Sequence, residues 1–190
     1  MGIDIADINN DNLLDVFVVD MVAEDNFRLK ANMSGMNPDK FWRIVDKGWN
    51  YQYMNNVLQV NNGNSTFSDI AKFSGVSNTD WSWSPLIADF DNDGLKDIIV
   101  TNGLLRDIRN TDADTKIKLF IHKKIQKYLS ENTNIEGVEI WDVVSHKELS
   151  EIYPSSKLQN KAFKNIGNSE FKDVSNQWGI KNKSFSNGSA

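Results

Sequence analysis

Apolar residues fall in short blocks along this chain, and polar, turn-forming stretches separate them. Ile3 to Ala6 forms one block. An acidic stretch follows, and then the apolar run Val16-Phe17-Val18-Val19. The succession recurs with Leu86 to Ala88, a second acidic stretch, and Ile98-Ile99-Val100. Further along each unit lie Val57 to Val60 and Ala162 to Lys164. Each leads through a Gly-Asn turn into a last block, Thr66 to Ile70 or Glu170 to Val174. Blocks of this length, bounded by Asn, Asp and Gly, predict short strands, four to a unit (A to D), with the acidic stretch as the A–B turn. The units differ through inserts between strands B and C, residues 21–55 and 102–159. In the second, Ile117, Phe120, Ile121, Ile125, Tyr128 and Leu129 follow helical spacing, with Lys116, Lys123, Lys124 and Lys127 largely opposite. Asp114 or Thr115 is the expected N-cap. The first insert predicts a helix from Pro38 to Lys47, led by Asn37 with Pro38 at the first helical position.

The units are copies. The acidic stretches are offset by 82 residues, from Asp7 to Asp89. The later segment, Asn61-Asn-Gly63-Asn64-Ser65-Thr-Phe67-Ser-Asp69, matches Asn165-Ile-Gly167-Asn168-Ser169-Glu-Phe171-Lys-Asp173 at an offset of 104. Self-similarity on this scale marks solenoids, propellers or arrays. Projecting the longer offset puts a third acidic stretch just beyond Ala190, so the chain reads as about two units of a longer protein. Its 190 residues have a net charge of -5 and show no basic stripe, which argues against a nucleic-acid partner. Without cysteine there is no disulfide framework. No apolar run reaches the ~20 residues of a membrane span.

The acidic stretches are ladders. The second is Asp89-Phe-Asp91-Asn-Asp93-Gly94-Leu95-Lys-Asp97; the first is Asp7-Ile-Asn9-Asn-Asp11-Asn12-Leu13-Leu-Asp15. Oxygen side chains at positions 1, 3, 5 and 9 of a curled loop converge on one point. A hard cation such as calcium takes six to eight oxygens. Gly94 and Asn12 stand where the turn needs positive φ. The carbonyls of Leu95 and Leu13 are the expected backbone ligands, and Asp97 and Asp15 close the two sites. Position 12 of each ladder is a valine in a strand, which excludes an EF-hand. Neither loop has His or Cys, which disfavours zinc. Magnesium prefers fewer protein ligands. A metal-free Asx-rich turn accounts for the composition but not for four crowded carboxylates at fixed spacing. The first loop has one carboxylate fewer and is expected to bind more weakly.

These residues resemble the FG-GAP/VCBS repeat family, the repeat of integrin α-subunit propellers. Asp89 to Asp97 looks like its calcium loop and Asn62 to Asp69 like its NGDGTFxD segment. Trp81-Ser-Trp83-Ser-Pro85 is similar to the bacterial branch related to cartilage acidic protein. Asn9 and Asn12 depart from the pattern. The resemblance implies a mainly β fold of four-stranded propeller blades, commonly seven to a ring, in secreted, cell-surface or periplasmic proteins. On that scheme residues 1–83 and 84–183 are two blades, 184–190 opens a third, and the remaining blades are the first partner.

Alternating turns put the ladders on one face and the inserts on the other, where loops on a rigid scaffold serve recognition. Phe41, Trp42, Trp49, Tyr51, Tyr53, Arg106, Arg109, Trp141 and His146 are the candidates for a glycan or protein ligand. Each has a plainer reading. Trp42, Trp49 and Trp141 cap the inserts on the propeller, and Arg106 and Arg109 pair with Asp107 and Asp112. Trp81 and Trp83 share a strand face and pack between blades; His122 and the lysines are a solvated helix face. The chain shows no nucleophile motif. A non-catalytic, calcium-binding recognition module is therefore expected. Part of a polysaccharide-active enzyme and a pure scaffold are the alternatives.

Overall fold

The computed structural model describes residues 1–32, 38–132, 137 and 139–189. The fold is mainly β and antiparallel throughout. Strands β1 (Ile3–Ala6) and β2 (Asp15–Val18) flank the first ladder; β3 (Met21–Val22) opens the first insert, which continues through helices α1 (Asn26–Asn32) and α2 (Pro38–Val45). Then come β4 (Val57–Asn61), β5 (Phe67–Asp69), β6 (Asp80–Ala88) and β7 (Asp97–Asn102). The second insert holds α3 (Thr111–Glu131), α4 (Ile140–Val143) and α5 (His146–Ile152). The chain ends with β8 (Leu158–Gln159), β9 (Lys161–Asn165), β10 (Phe171–Asp173) and β11 (Lys183–Ser184).

The first sheet has the order β1-β2-β4-β5, as expected for strands A to D, with Phe17 opposite both Asp4 and Leu58. The second has the order β10-β9-β7-β6-β3. It is the same four-stranded meander with one addition, because β3 of the first insert pairs with the start of β6. Strand A of the second unit starts at Asp80, well before Leu86. A bulge falls at Trp83, since Ser82 pairs with Asn102 and Ser84 with Thr101. The shared face expected of Trp81 and Trp83 rested on unbroken alternation, which the bulge interrupts. Trp81 is buried, and the Trp83 indole N–H donates to the Gly103 carbonyl.

The core lies between the sheets. Ile8, Phe17, Val19, Leu58, Ala71 and Val76 from the first unit meet Ile87, Ile98, Val100 and Phe163 from the second. The parity of the strands shows how they stack. Among the apolar residues, Phe17 and Val19 are buried in β2 and just after it, whereas in β7 the buried ones are Ile98 and Val100, which match Val16 and Val18 of the first unit. One sheet therefore uses its front and the other its back, and the stack runs head to tail. Consequently Ile3 and Ile5 are 60% and 52% exposed, although their counterparts Pro85 and Ile87 are buried.

A line of buried polar groups joins the units at the insert end. The Asp20 N–H donates to Asn56 Oδ1 at 2.7 Å, and Asn56 Nδ2 donates to Thr79 Oγ1 at 2.6 Å. Thr79 and Ser82 hydroxyls lie 2.7 Å apart, and Ser82 donates to Asn102 Oδ1 at 2.9 Å. The pattern then repeats: the Asn102 N–H donates to Asn160 Oδ1 at 2.9 Å, and Asn160 Nδ2 to Ser186 Oγ at 3.1 Å. Asn56, Thr79, Ser82 and Asn102 are fully buried, so the side-chain bonds running from Asn56 through Thr79 and Ser82 to Asn102 replace ones that water cannot supply.

The helices depart more from expectation. α2 begins at Pro38 as predicted; its expected cap, Asn37, lies outside the described residues. α1 was not foreseen, although Asp25 Oδ1 accepts from the Arg28 N–H as a cap should. The cap of α3 is Asn110, whose side chain accepts from the Ala113 N–H, rather than Asp114 or Thr115. Asp112 and Asp114 sit inside the first turn, where carboxylates favour the positive end of the helix dipole. The expected apolar stripe of α3 is half-buried from Ile117 to Tyr128 against α4 and α5, and Leu129 is exposed.

Candidate metal centre

Both ladders fold to the same backbone. Positions 4 and 6 take positive φ in each: 60° and 67° at Asn10 and Asn12, 60° and 88° at Asn92 and Gly94. Two left-handed residues curl the loop so that the position-1 carboxylate caps its own turn. Asp7 accepts from the N–H groups of Asp11 and Asn12 at 3.0 and 2.9 Å. Asp89 accepts from Asp93 and Gly94 at 3.1 and 2.9 Å. At position 5, Asp11 Oδ1 takes the Leu13 N–H and Asp93 Oδ1 the Leu95 N–H, at 2.8 and 2.9 Å. Position 6 was legible from Gly94 and Asn12. Position 4 was missed, although Asn stands there in both copies.

The closing aspartates are fully buried. Asp15 accepts from the Ile8 N–H at 2.9 Å and from the Asn61 N–H at 2.8 Å. Asp97 repeats this with Phe90 at 3.1 Å and Asn165 at 2.9 Å. Each carboxylate thus ties the ladder to the end of strand C. The ladders also touch each other: Asn10 Nδ2 donates to the Gly94 carbonyl, and Asn165 Nδ2 to the carbonyls of Ile8 and Lys96. Gly63 of the β4–β5 turn lies beside Leu13, so ladders and C–D turns share one end of the sheets and the inserts leave from the other.

In the second loop, carboxylate oxygens of Asp89, Asp91 and Asp97 all lie within 4.8 Å of one another. Ligands on opposite sides of a calcium ion stand about 4.6–5.2 Å apart, twice the bond length, so these three fit one such ion. Asp93 is not in that trio. Its Oδ2 lies 2.8 Å from the Lys164 ammonium, which also contacts Asp91. No carboxylate trio this close occurs in the first loop among the described residues, because position 3 is Asn9, whose amide donates to Asp11 Oδ2 at 2.9 Å. Lys164 holds Asp93 below the usual carboxylate range, helped by the Leu95 N–H, and Asp91 and Asp93 in turn raise Lys164. Asp97 is pushed up by burial, against the two N–H groups that favour its charge, and Asp91 and Asp93 add to the push. Sequence reasoning missed Lys164. It sits just before Asn165 in the repeated segment, where the first unit has Val60.

At the other end, α2 and the stretch after it carry an aromatic cluster. Phe41 meets Trp42 edge-on at 5.3 Å and Tyr53 at 5.6 Å, and Tyr51 stacks on Tyr53. Pro38, Phe41, Trp42, Val45, Tyr53 and Met54 line a cleft of about 350 Å³. Trp42, Trp49 and Trp141 are more than half exposed, so they do not cap the inserts on the sheets. Phe41, Trp42, Tyr51 and Tyr53 pack on one another, and Trp141 stacks on His146 at 4.0 Å. The local pairs expected for Arg106 and Arg109 are replaced by one from α1. Arg28 binds Asp80 at 2.9 Å and approaches Asp107 at 3.6 Å, which joins the two inserts. Asn32 Oδ1 and Asp107 Oδ1 stay buried without a protein donor, so among the described residues this joint is the least satisfied.

No helix among the described residues is long and apolar enough to cross a membrane. No curated protein and no solved structure matches the chain. Residues 37–100 match the family model described as an FG-GAP-like repeat. That stretch runs from α2 through β4, β5 and β6 to β7, and it contains the whole second ladder. Over that stretch, about a third of its length, the chain is similar to the FG-GAP-like repeat family.

Proposed function

We propose that this chain is a calcium-pinned, non-catalytic stretch of a β-propeller from a secreted or cell-surface protein, and that its insert face recognises a glycan or a protein. The observation that carries the reading is the duplicated ladder: two loops with one backbone course, one of them holding three carboxylates at the spacing of a single hard cation. Asp89, Asp91 and Asp97 would hold the ion in the second loop, joined by Asp93 and the Leu95 carbonyl. Asp7, Asn9, Asp11, Asp15 and the Leu13 carbonyl would do so in the first. The ion would supply positive charge that offsets the repulsion among these groups. At a free concentration ten times the dissociation constant it would add about 1.4 kcal/mol per site.

The head-to-tail stack supports the propeller. Each sheet would be a blade, with the border at Asp80, where β6 begins, and the open face at Ile3 and Ile5 would receive a neighbouring blade. The aromatic cleft of the first insert, at the end away from the ladders, is the proposed recognition surface. Titration calorimetry tests the calcium reading. Heat and a raised melting temperature are expected with millimolar calcium, both reduced in the Asp7→Ala and Asp89→Ala variants. No heat from folded protein would sink the reading.

A further inference from the structure

We propose that Lys164 is a tethered cation of the second ladder, so that the two loops, alike in backbone, differ in how readily they take a divalent ion. This rests on the calcium reading above and concerns one residue outside the ladder. The copies differ by a matched pair of changes. Where the first loop has Asn9, the second has Asp91, an added negative charge; where the first strand C has Val60, the second has Lys164, an added positive one. The added charges meet, because the ammonium of Lys164 contacts Asp91 directly.

The same oxygen is served in both loops. Asp11 Oδ2 accepts from the Asn9 amide at 2.9 Å, and its counterpart Asp93 Oδ2 accepts from Lys164 at 2.8 Å. Lys164 is held in place, since its neighbour Asn165 is tied by main chain to Asp97 and by side chain to Ile8 and Lys96. A divalent ion drawing on positions 3 and 5 must therefore compete with an ammonium that already holds one oxygen of each carboxylate. The first loop has no cationic side chain on its oxygens among the described residues. The extra carboxylate does not give the second loop the advantage that a count of charges along the sequence predicts.

Calcium titration of the whole chain by calorimetry tests this, with Lys164→Met and Lys164→Arg beside the wild type. An Asp7→Ala background silences the first loop. In that background Lys164→Met should bind calcium at least about tenfold more tightly than the lysine protein. Lys164→Arg, which keeps the charge, should bind as the lysine protein does. Without calcium Lys164→Met should melt lower than wild type, and calcium should close the gap. Unchanged affinity in Lys164→Met overturns the proposal while leaving calcium binding intact, and so does an equal gain in Lys164→Arg, which would trace the effect to packing. No calcium heat from any folded variant removes the calcium reading and the proposal with it.

Discussion

Asn92 does in the second ladder what Asn10 does in the first: each holds a left-handed backbone that a branched side chain resists. Asn92→Val is therefore expected to cost about 1–2 kcal/mol, and Asn92→Gly to leave stability nearly unchanged, both read by urea unfolding. Position 4 escaped sequence reasoning because an Asn among ladder oxygens looks like one more donor, and its backbone role has no separate signature. The closing aspartates were legible only in part. Their place at position 9 marks them as ligands, but nothing in the spacing says that their oxygens tie the N–H groups of Asn61 and Asn165. Asp15→Ala strands two N–H groups, at Ile8 and Asn61, and is expected to cost about 2–4 kcal/mol in the same measurement.

Among the elements, strands were more legible than helices. The apolar blocks at Val57 to Val60 and Ile98 to Val100 became strands, with Leu58, Ile98 and Val100 buried in the core between the sheets. The two-residue strand β3 was invisible, since Met21-Val22 is too short for any period and pairs only because β6 extends past it. In the second insert, α3 was read correctly as a helix, but α4 and α5 are too short to show a stripe. They cohere through caps and one ion pair, with Lys124 binding Glu148 at 2.7 Å. That lysine, with the N–H and hydroxyl of Ser145, lowers the Glu148 carboxyl from the ordinary 4.5 to about 2. A depressed carboxylate stabilises its contact above the unfolded value. The contribution of the α3–α5 contact is therefore complete above about pH 4.5 and lost as pH falls through about 2. Carboxyl NMR should place the Glu148 midpoint near 2, and Lys124→Met should move it up toward 4.5.

At the scale of the molecule, the stack has two unlike ends. One presents Ile3 and Ile5; the other presents Phe90 and Ile99, the counterparts of the buried Ile8 and Phe17. Such ends are complementary and favour head-to-tail association. Sedimentation velocity of the isolated chain should show association that rises with concentration, and Ile5→Glu should suppress it. The repeat and its sheets were plain from the two offsets. The joint was not, because Asn56 and Asn160 stand at the ends of the inserts, where they read as ordinary loop residues. Yet these two asparagines make the same bond, each accepting from the main-chain amide where its insert departs, at Asp20 and Asn102. Each excursion is thus cinched shut at its base whatever it contains. Beyond β3 and Arg28, which reach the second sheet, the protein can therefore lengthen or shorten the decoration on that face with little effect on the strands beneath.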